Sequence, residues 1–237
     1  MHHLLCIETG TTTCSVALSK DLELIEAIES HDSNHNHAKT LASFIYTLLE
    51  NNGLSANDLS AVAVSKGPGS YTGLRIGVST AKGICYATGK PLIAVGSLES
   101  MAYGGLDWLN KNSDFQTPDF LCPMIDARRL EVYTQLFNLY PVSVSEIEAK
   151  ILDENSFRNF LDKKRILFFG NGSAKAKKLI TSNNAHFIDG FLPSARFMIP
   201  LAQNLLKNKK YEDVAYFEPF YLKDFVAIKS SKNVFGR

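Results

Sequence analysis

The chain has 237 residues, of which 45% are hydrophobic and 21% charged, a composition typical of a globular protein that buries its own core. With 25 Lys and Arg against 24 Asp and Glu, the net charge is +1, which excludes an overall electrostatic attraction to nucleic acid or membranes. The four cysteines lie far apart, which predicts buried free thiols. Without a leader or a long apolar stretch, we expect a cytoplasmic protein with no membrane partner.

Three short strands open the chain. Apolar and β-branched residues at 4–8, 13–19 and 23–30 are separated by polar turns, a pattern that predicts three consecutive antiparallel strands. The first turn contains Thr9 and Gly10, whose hydroxyl and free backbone are compatible with a phosphate site or with a simple hydrogen-bonded turn.

A polar segment and a helix follow. His31 and His35 have the i, i+4 spacing of a metal pair, but the Asn and Asp residues between them favour a turn and a helix cap instead. From His37 to about residue 50, apolar residues recur at helical spacing from Leu41 onwards, which predicts a helix with one buried face.

Residues 59–99 are the most organised stretch. They predict a strand (59–65), a glycine turn (66–73), a helix (74–87) and a second strand (91–96), together one βαβ unit. Gly67 and Gly69 permit a sharp bend, and Ser70 or Thr72 can cap the helix. Such a turn is a candidate anion site because helix amides converge there, although a turn that binds nothing fits equally well.

The helix of this unit has one face made of small residues. Gly73, Gly77 and Ala81 recur every fourth residue, and glycine within a helix costs about 1 kcal/mol relative to alanine. Close packing against another backbone would offset that cost. The packed element is either the protein's own sheet or a helix of another chain.

The second half reads as another αβ module. A helix at 97–108 and a polar connection at 110–118 precede strands at 120–125, 131–139, 165–170 and 186–188 and helices at 154–161, 174–182 and 194–207. The charged turn at 126–129 is interpreted as a solvated, salt-bridged rim. No spacing in the chain matches a nucleophile elbow, a zinc motif or a P-loop.

Residues 66–77, KGPGSYTGLRIG, together with 91–99, PLIAVGSLE, closely resemble the TsaB (YeaZ) family. The opening LCIET, the His37 helix and the DARR segment at 126–129 fit the same pattern. The resemblance is dense over the first 135 residues and continues in outline beyond them.

The resemblance implies an α/β, actin-like or hexokinase-like (ASKHA) fold of two ribonuclease-H-like domains. We expect an N-terminal domain at 1–109 that carries the dimerisation helices and a C-terminal domain at 110–214. The stretch at 215–230 is expected to pack back on the first domain.

The resemblance also implies a role. TsaB-like proteins support, without performing, the transfer of a threonylcarbamoyl group to N6 of adenosine 37 in tRNAs that read codons beginning with A. The implied partners are the catalytic paralogue TsaD in a heterodimer, the ATPase TsaE, and tRNA through the complex; a homodimer is compatible with the same helices. An ASKHA small-molecule kinase and a glycoprotease-like metallohydrolase are the alternatives.

TsaD-like sequences carry a His-x-x-x-His metal pair where this chain has Ser97 and Met101, so neither a metal site nor a cofactor is expected. Glu8 and Gly10 depart from the family pattern and weaken a phosphate role for the first hairpin. The candidate anion-binding residues are Thr9, Gly10, Gly67, Gly69 and Ser70. By helical spacing, the candidate partner contacts are His37, Leu41, Leu74, Arg75, Val78, Ser79, Lys82 and Tyr86.

Overall fold

Two five-stranded mixed sheets form the framework of the protein. The computed structural model describes residues 2–31 and 37–223, with the backbone but not the side chain of His37. The strands of the first sheet are β1 (His3–Glu8), β2 (Cys14–Lys20), β3 (Glu23–Ser30), β4 (Ala61–Gly67) and β5 (Leu92–Gly96). β1, β2 and β3 pair antiparallel, whereas β4 pairs parallel to both β1 and β5. The three predicted antiparallel strands and the βαβ unit are therefore confirmed.

The second sheet repeats this order. Its strands are β6 (Phe120–Asp126), β7 (Glu131–Thr134), β8 (Glu148–Ile151), β9 (Ile166–Phe169) and β10 (Ala185–Phe187). Counted from its own first strand, each sheet has the order 3-2-1-4-5. This duplication confirms the expected α/β fold built from two similar units. Residues 148–151 were not predicted as a strand, because β8 is only four residues long and three of them, Glu148, Ala149 and Lys150, belong to types that are depleted in strands.

Six helices cover the sheets in the described part of the chain. They are α1 (His37–Asn51), α2 (Tyr71–Thr88), α3 (Ser97–Lys111), α4 (Arg158–Leu161), α5 (Ser173–Lys177) and α6 (Ile199–Lys207). α2 begins three residues earlier than predicted because the Ser70 hydroxyl caps it, accepting the Gly73 amide at 3.3 Å. Among the described residues, no helix combines the length and the apolar character that crossing a bilayer requires.

Alternating residues of the first sheet build two cores. Leu5 and Ile7 belong to the core that α1 and α2 cover, while Leu4 and Cys6 face α6 on the other side. A short 3₁₀ turn, Ala195–Met198, leads into α6 and contributes to the same second core.

The second sheet is covered in the same way. α4 and α5 pack with Cys122 and Phe168 on one face, and α3 packs with Leu121 and Phe169 on the other. The structure thus departs from the expected grouping of helices: α3 covers the second sheet, although it precedes that sheet in the chain, and α6 returns to the first. The domain boundary near residue 109 stays a prediction.

The chain then runs back over the first half as an extended segment, residues 211–223, called the C-terminal segment below. The Glu212 amide donates to the Leu92 carbonyl at 2.9 Å, and the Phe220 amide donates to the Lys66 carbonyl at 2.7 Å. Phe217 packs against the core beneath α2. Residues 224–230, which were expected to follow the same course, lie outside the described residues.

Candidate functional site

The first hairpin turn and the glycine turn before α2 are in direct contact. The Ser70 amide donates to the Gly10 carbonyl oxygen at 2.7 Å. A Cβ added at Gly69 would lie 2.3 Å from that same oxygen, so only glycine permits this approach. The two turns that sequence analysis selected as separate candidates therefore form a single contact.

The small-residue face of α2 is filled by Thr9. The Thr9 hydroxyl donates to the Gly73 carbonyl at 2.8 Å. A Cβ at Gly73 would lie 2.0 Å from the Thr9 carbonyl oxygen, and one at Gly77 would lie 2.3 Å from the Thr9 hydroxyl. Of the two alternatives left open by the sequence, packing within the chain is the one that occurs here.

The C-terminal segment covers the outer side of the glycine turn. Gly67 has a φ of 109°, and a Cβ there would lie 2.6 Å from the Phe220 carbonyl oxygen. All five candidate anion-binding residues are thus brought together, but they hydrogen-bond and pack against one another and the segment. Anion binding by these residues stays a prediction.

Glu8 is a buried carboxyl at the centre of this contact. Only 2% of its surface is exposed, and its Oε1 accepts hydrogen bonds from the Gly10 amide at 2.5 Å and the Ser65 hydroxyl at 3.1 Å. Burial raises the pKa of the Glu8 carboxyl to about 7, although both hydrogen bonds lower it. In the sequence, Glu8 stands out only as a departure from a family pattern. The available signal was an acidic residue that ends an otherwise apolar strand.

The positions of the metal pair in TsaD-like sequences do not fit a metal here. Met101 is 2% exposed and packs in the core between α3 and the second sheet, with its Cε 2.5 Å from where a Cβ on Gly170 would lie. Ser97 is equally buried, and its hydroxyl has no hydrogen-bond partner among the residues that the structure describes. A thioether held in an apolar core and a single hydroxyl are a poor donor set for a hard or borderline cation.

Other metal-ligating and nucleophilic groups give no catalytic constellation. Within residues 2–31 and 37–223, no three His, Cys, Asp or Glu side chains cluster as a metal site. The His31–His35 spacing cannot be followed, because His35 lies outside the described residues. The four cysteines are free and buried, as predicted. Burial raises the pKa of the Cys6 and Cys122 thiols to about 12, which makes them poor nucleophiles.

The predicted partner contacts divide into core and surface residues. Leu41, Leu74 and Val78 are only 0%, 1% and 4% exposed and belong to the core of this chain, so they are corrected here to core positions. Helical spacing selected them because an apolar stripe looks the same whether it faces a sheet or a partner. The His37 side chain lies outside the described residues.

The remaining partner candidates lie on the outer face of α2. Arg75 and Ser79 are exposed, Lys82 is half-buried, and Tyr86 is 86% exposed. The Lys82 ammonium donates to the carbonyl oxygens of Ala215 and Phe217 at 3.1 and 3.0 Å, so α2 and the C-terminal segment form one surface. An open groove of about 600 Å³ runs between them. It is lined by Lys82, Gly83, Tyr86, Asp213, Val214 and Ala215.

The chain is similar to proteins of tRNA threonylcarbamoyladenosine biosynthesis over nearly its whole length. The family profile "TsaD: tRNA N6-adenosine threonylcarbamoyltransferase" matches residues 26–230. This chain is 30% identical to the protein named "tRNA threonylcarbamoyladenosine biosynthesis protein TsaB" of Bacillus subtilis, in an alignment that covers 93% of each chain. It is also 30% identical to the protein of the same name from Escherichia coli, in an alignment that covers 95% of this chain and 96% of the relative. The structure of "YeaZ from Pseudomonas aeruginosa" shares the fold, with a TM-score of 0.78 at 22% identity over 94% of this chain and all of that one.

Proposed function

The chain belongs to the TsaD family, among its TsaB members, and from this premise we propose that it is the non-catalytic partner subunit of a tRNA threonylcarbamoyltransferase complex. Its role is to bind a TsaD-like catalytic subunit and support the transfer of a threonylcarbamoyl group to N6 of adenosine 37. A TsaE-like ATPase and tRNA take part through the complex, in the cytoplasm.

The observation that carries the non-catalytic assignment is the pair Ser97 and Met101. Both side chains are buried, and neither position offers an imidazole. The chain thus keeps the scaffold that it shares with its catalytic relatives but lacks the residues expected to hold their metal. Support for a partner role comes from the alignment with TsaB proteins over more than nine-tenths of each chain.

Reconstitution tests the function. The chain is combined with a TsaD-like protein, a TsaE-like protein and the enzyme that makes threonylcarbamoyl-adenylate, and modified tRNA is measured with and without it. We expect modification only when the chain is present. ATP turnover or bound divalent metal in the isolated chain would instead favour the small-molecule kinase or the metallohydrolase.

The surface for the catalytic subunit is proposed to be the outer face of α2, with Arg75, Ser79, Lys82 and Tyr86 as contacts. Tyr86 is the largest exposed side chain in this set, and exposed tyrosines beside a groove are common anchors of protein interfaces. His37 remains a proposed contact at the start of α1.

Copurification with the TsaD-like protein tests this surface. The variant Tyr86→Asp with Ser79→Arg is expected to lose copurification, because both changes place a charge in the contact without altering the core. Tyr140→Asp is the matched control, since Tyr140 is 85% exposed on the second half of the chain. Retained binding by the double variant, or equal loss in the control, would remove this face from the proposal.

A further inference from the structure

The turn between β6 and β7 contains two consecutive arginines, and hydrogen bonds hold its backbone in place. Their φ angles are 71° at Arg128 and 47° at Arg129, in the left-handed region that side chains other than glycine rarely adopt. The Asp126 carboxylate accepts the Arg128 amide at 2.6 Å, and the Ala127 amide donates to the Glu131 carbonyl at 3.1 Å. A conformation of this kind persists only where the surroundings hold it. Both arginines are exposed.

The acidic side chains of this turn are already occupied by lysines. Asp126 Oδ1 lies 2.7 Å from Lys175 Nζ, and Glu131 pairs with Lys223. Among the described residues, no salt bridge connects Arg128 or Arg129 to a carboxylate. The turn therefore carries two uncompensated positive charges in a protein whose net charge is only +1.

Aromatic rings continue this surface towards α2. Lys223 pairs with Glu131 and lies two residues after Tyr221, whose ring centroid is 4.9 Å from that of Tyr71. The Arg75 guanidinium lies 5.0 Å from the centroid of the Tyr71 ring. We call this surface the basic stripe. It consists of Tyr71, Tyr221, Lys223, Arg128 and Arg129.

This alternation of cations and rings suits RNA. Arginine binds phosphate oxygens through paired N–H groups, and tyrosine rings stack on unpaired bases. An acidic peptide would be bound by the positive charges alone and would not require the tyrosine rings. The sequence after Lys223 has the same sign of charge, with Lys229, Lys232 and Arg237 against Asp224, that is, 3 − 1 = +2.

We propose that the basic stripe binds a single-stranded or loop region of tRNA, with Arg128 and Arg129 on backbone phosphates and the tyrosines against bases. The identity of the RNA rests on the proposed function. The partner subunit then contributes directly to substrate binding in addition to supporting the catalytic subunit.

Fluorescence anisotropy of a labelled transcript of a tRNA that reads a codon beginning with A, titrated with the full chain, tests the proposal. Arg128→Glu with Arg129→Glu is expected to weaken binding at least about tenfold and to reduce the slope of log affinity against log salt by about 2, one for each phosphate contact. Tyr221→Ala is expected to weaken binding by about tenfold without changing that slope. Unchanged affinity in the double variant, or no RNA binding by the chain, would overturn the proposal.

Lys209→Glu with Lys210→Glu is the matched control. It reverses the same number of exposed charges, and Lys209 also has a left-handed backbone, with φ 54°. These lysines follow α6, which covers the opposite face of the first sheet from α2. We expect the affinity of this control variant for RNA to stay within about twofold of wild type. An equal loss of affinity in this control would mean that overall charge alone explains the effect, and would overturn the proposal.

Two further readouts separate this proposal from its alternatives. Arg128→Gln with Arg129→Gln should also weaken binding, and a thermal melt within a few degrees of wild type would show that the variant is folded. If the arginine variants lose copurification with the TsaD-like protein but bind RNA normally, the arginines serve a protein partner and the proposal is overturned. If they lose RNA binding while modification proceeds without the chain, the RNA contact stands and the proposed function fails.

Discussion

The Thr9 hydroxyl donates a hydrogen bond to the carbonyl oxygen of Gly73 at 2.8 Å, and this bond ties the first hairpin turn to the first turn of α2. The two residues are 64 positions apart in sequence. Because Gly73 and Gly77 have no side chains, the Thr9 backbone and hydroxyl occupy the space that larger residues would fill.

Gly77→Ala should therefore destabilise the protein. The new Cβ would lie 2.3 Å from the buried Thr9 hydroxyl, which must move and lose its bond to Gly73. We expect a loss of about 2 kcal/mol in the free energy of unfolding, measured by urea denaturation. Gly83→Ala on the same helix is the control: no atom lies within 4 Å of its Cβ position, so higher helix propensity should stabilise by up to about 1 kcal/mol. Equal effects at both positions would contradict the packing described here.

Glu8 should make stability depend on pH. Its pKa is raised by burial from an ordinary value of 4.5 to about 7, so the folded state binds a proton that the unfolded state releases between these values. Protonation of Glu8 therefore favours the folded state fully below pH 4.5, and this stabilisation is lost as pH rises to about 7. The free energy of unfolding should fall by about 3 kcal/mol over this range.

Glu8→Gln removes this titration, and its stability should change less between pH 5 and pH 8 than that of wild type, as measured by thermal and urea unfolding at each pH. Asp58→Asn serves as the control. Hydrogen bonds from Ser55 lower the pKa of the exposed Asp58 carboxyl, so it stays ionised over this range. Parallel pH profiles for wild type and Glu8→Gln would show that Glu8 does not cause the dependence.

Lys82→Met should loosen the C-terminal segment. The substitution keeps most of the aliphatic stem but removes the two hydrogen bonds to the Ala215 and Phe217 carbonyls. Since each is a charge-assisted bond near the surface, we expect the free energy of local opening of the C-terminal segment to fall by about 1–2 kcal/mol. Amide hydrogen exchange at Glu212 and Phe220 should accelerate about tenfold as a result. Lys111→Met is the control: the Lys111 ammonium pairs with Asp107 on α3, so its loss should leave both rates unchanged.

The cysteines should resist alkylation in the folded protein. Burial raises the pKa of the Cys14 and Cys85 thiols to about 11, and Cys6 and Cys122 are fully buried. At pH 8 we expect negligible modification by iodoacetamide under native conditions and four modified thiols after denaturation, counted by mass spectrometry. Rapid labelling of one thiol in the native protein would indicate local opening at that position.

The three opening strands and the βαβ unit could be predicted because apolar alternation and the Gly67 turn are local signals. The place of α6 could not, since its apolar face suits either sheet equally well and nothing in residues 199–207 specifies which one it covers. β8 was missed for a related reason, because a short strand that gains its stability from pairing with β7 has little pattern of its own.

The candidate site shows the same limit. Helical spacing identified which residues of α2 share a face, but it could not distinguish Leu74 and Val78, which are buried in the core, from Tyr86, which is exposed. Nor could it bring Thr9 to Gly73, because that contact depends on how the first hairpin lies against the helix. The stretch at 215–230 is expected to pack back on the first domain, and in its described part Phe220 donates a hydrogen bond to Lys66 while the Tyr221 ring contacts Tyr71.

The placement of α3 and α6 has a consequence for synthesis on the ribosome. The apolar face of the first sheet that α6 covers stays open until residues 195–207 have emerged, by which time all five strands of the second sheet have been translated. A nascent chain that stops near residue 190 would therefore expose Leu4, Ala63 and Val95 to water and to other chains. Truncated products of this protein should be aggregation-prone substrates for chaperones and proteases, and neither half should be obtained as a soluble fragment.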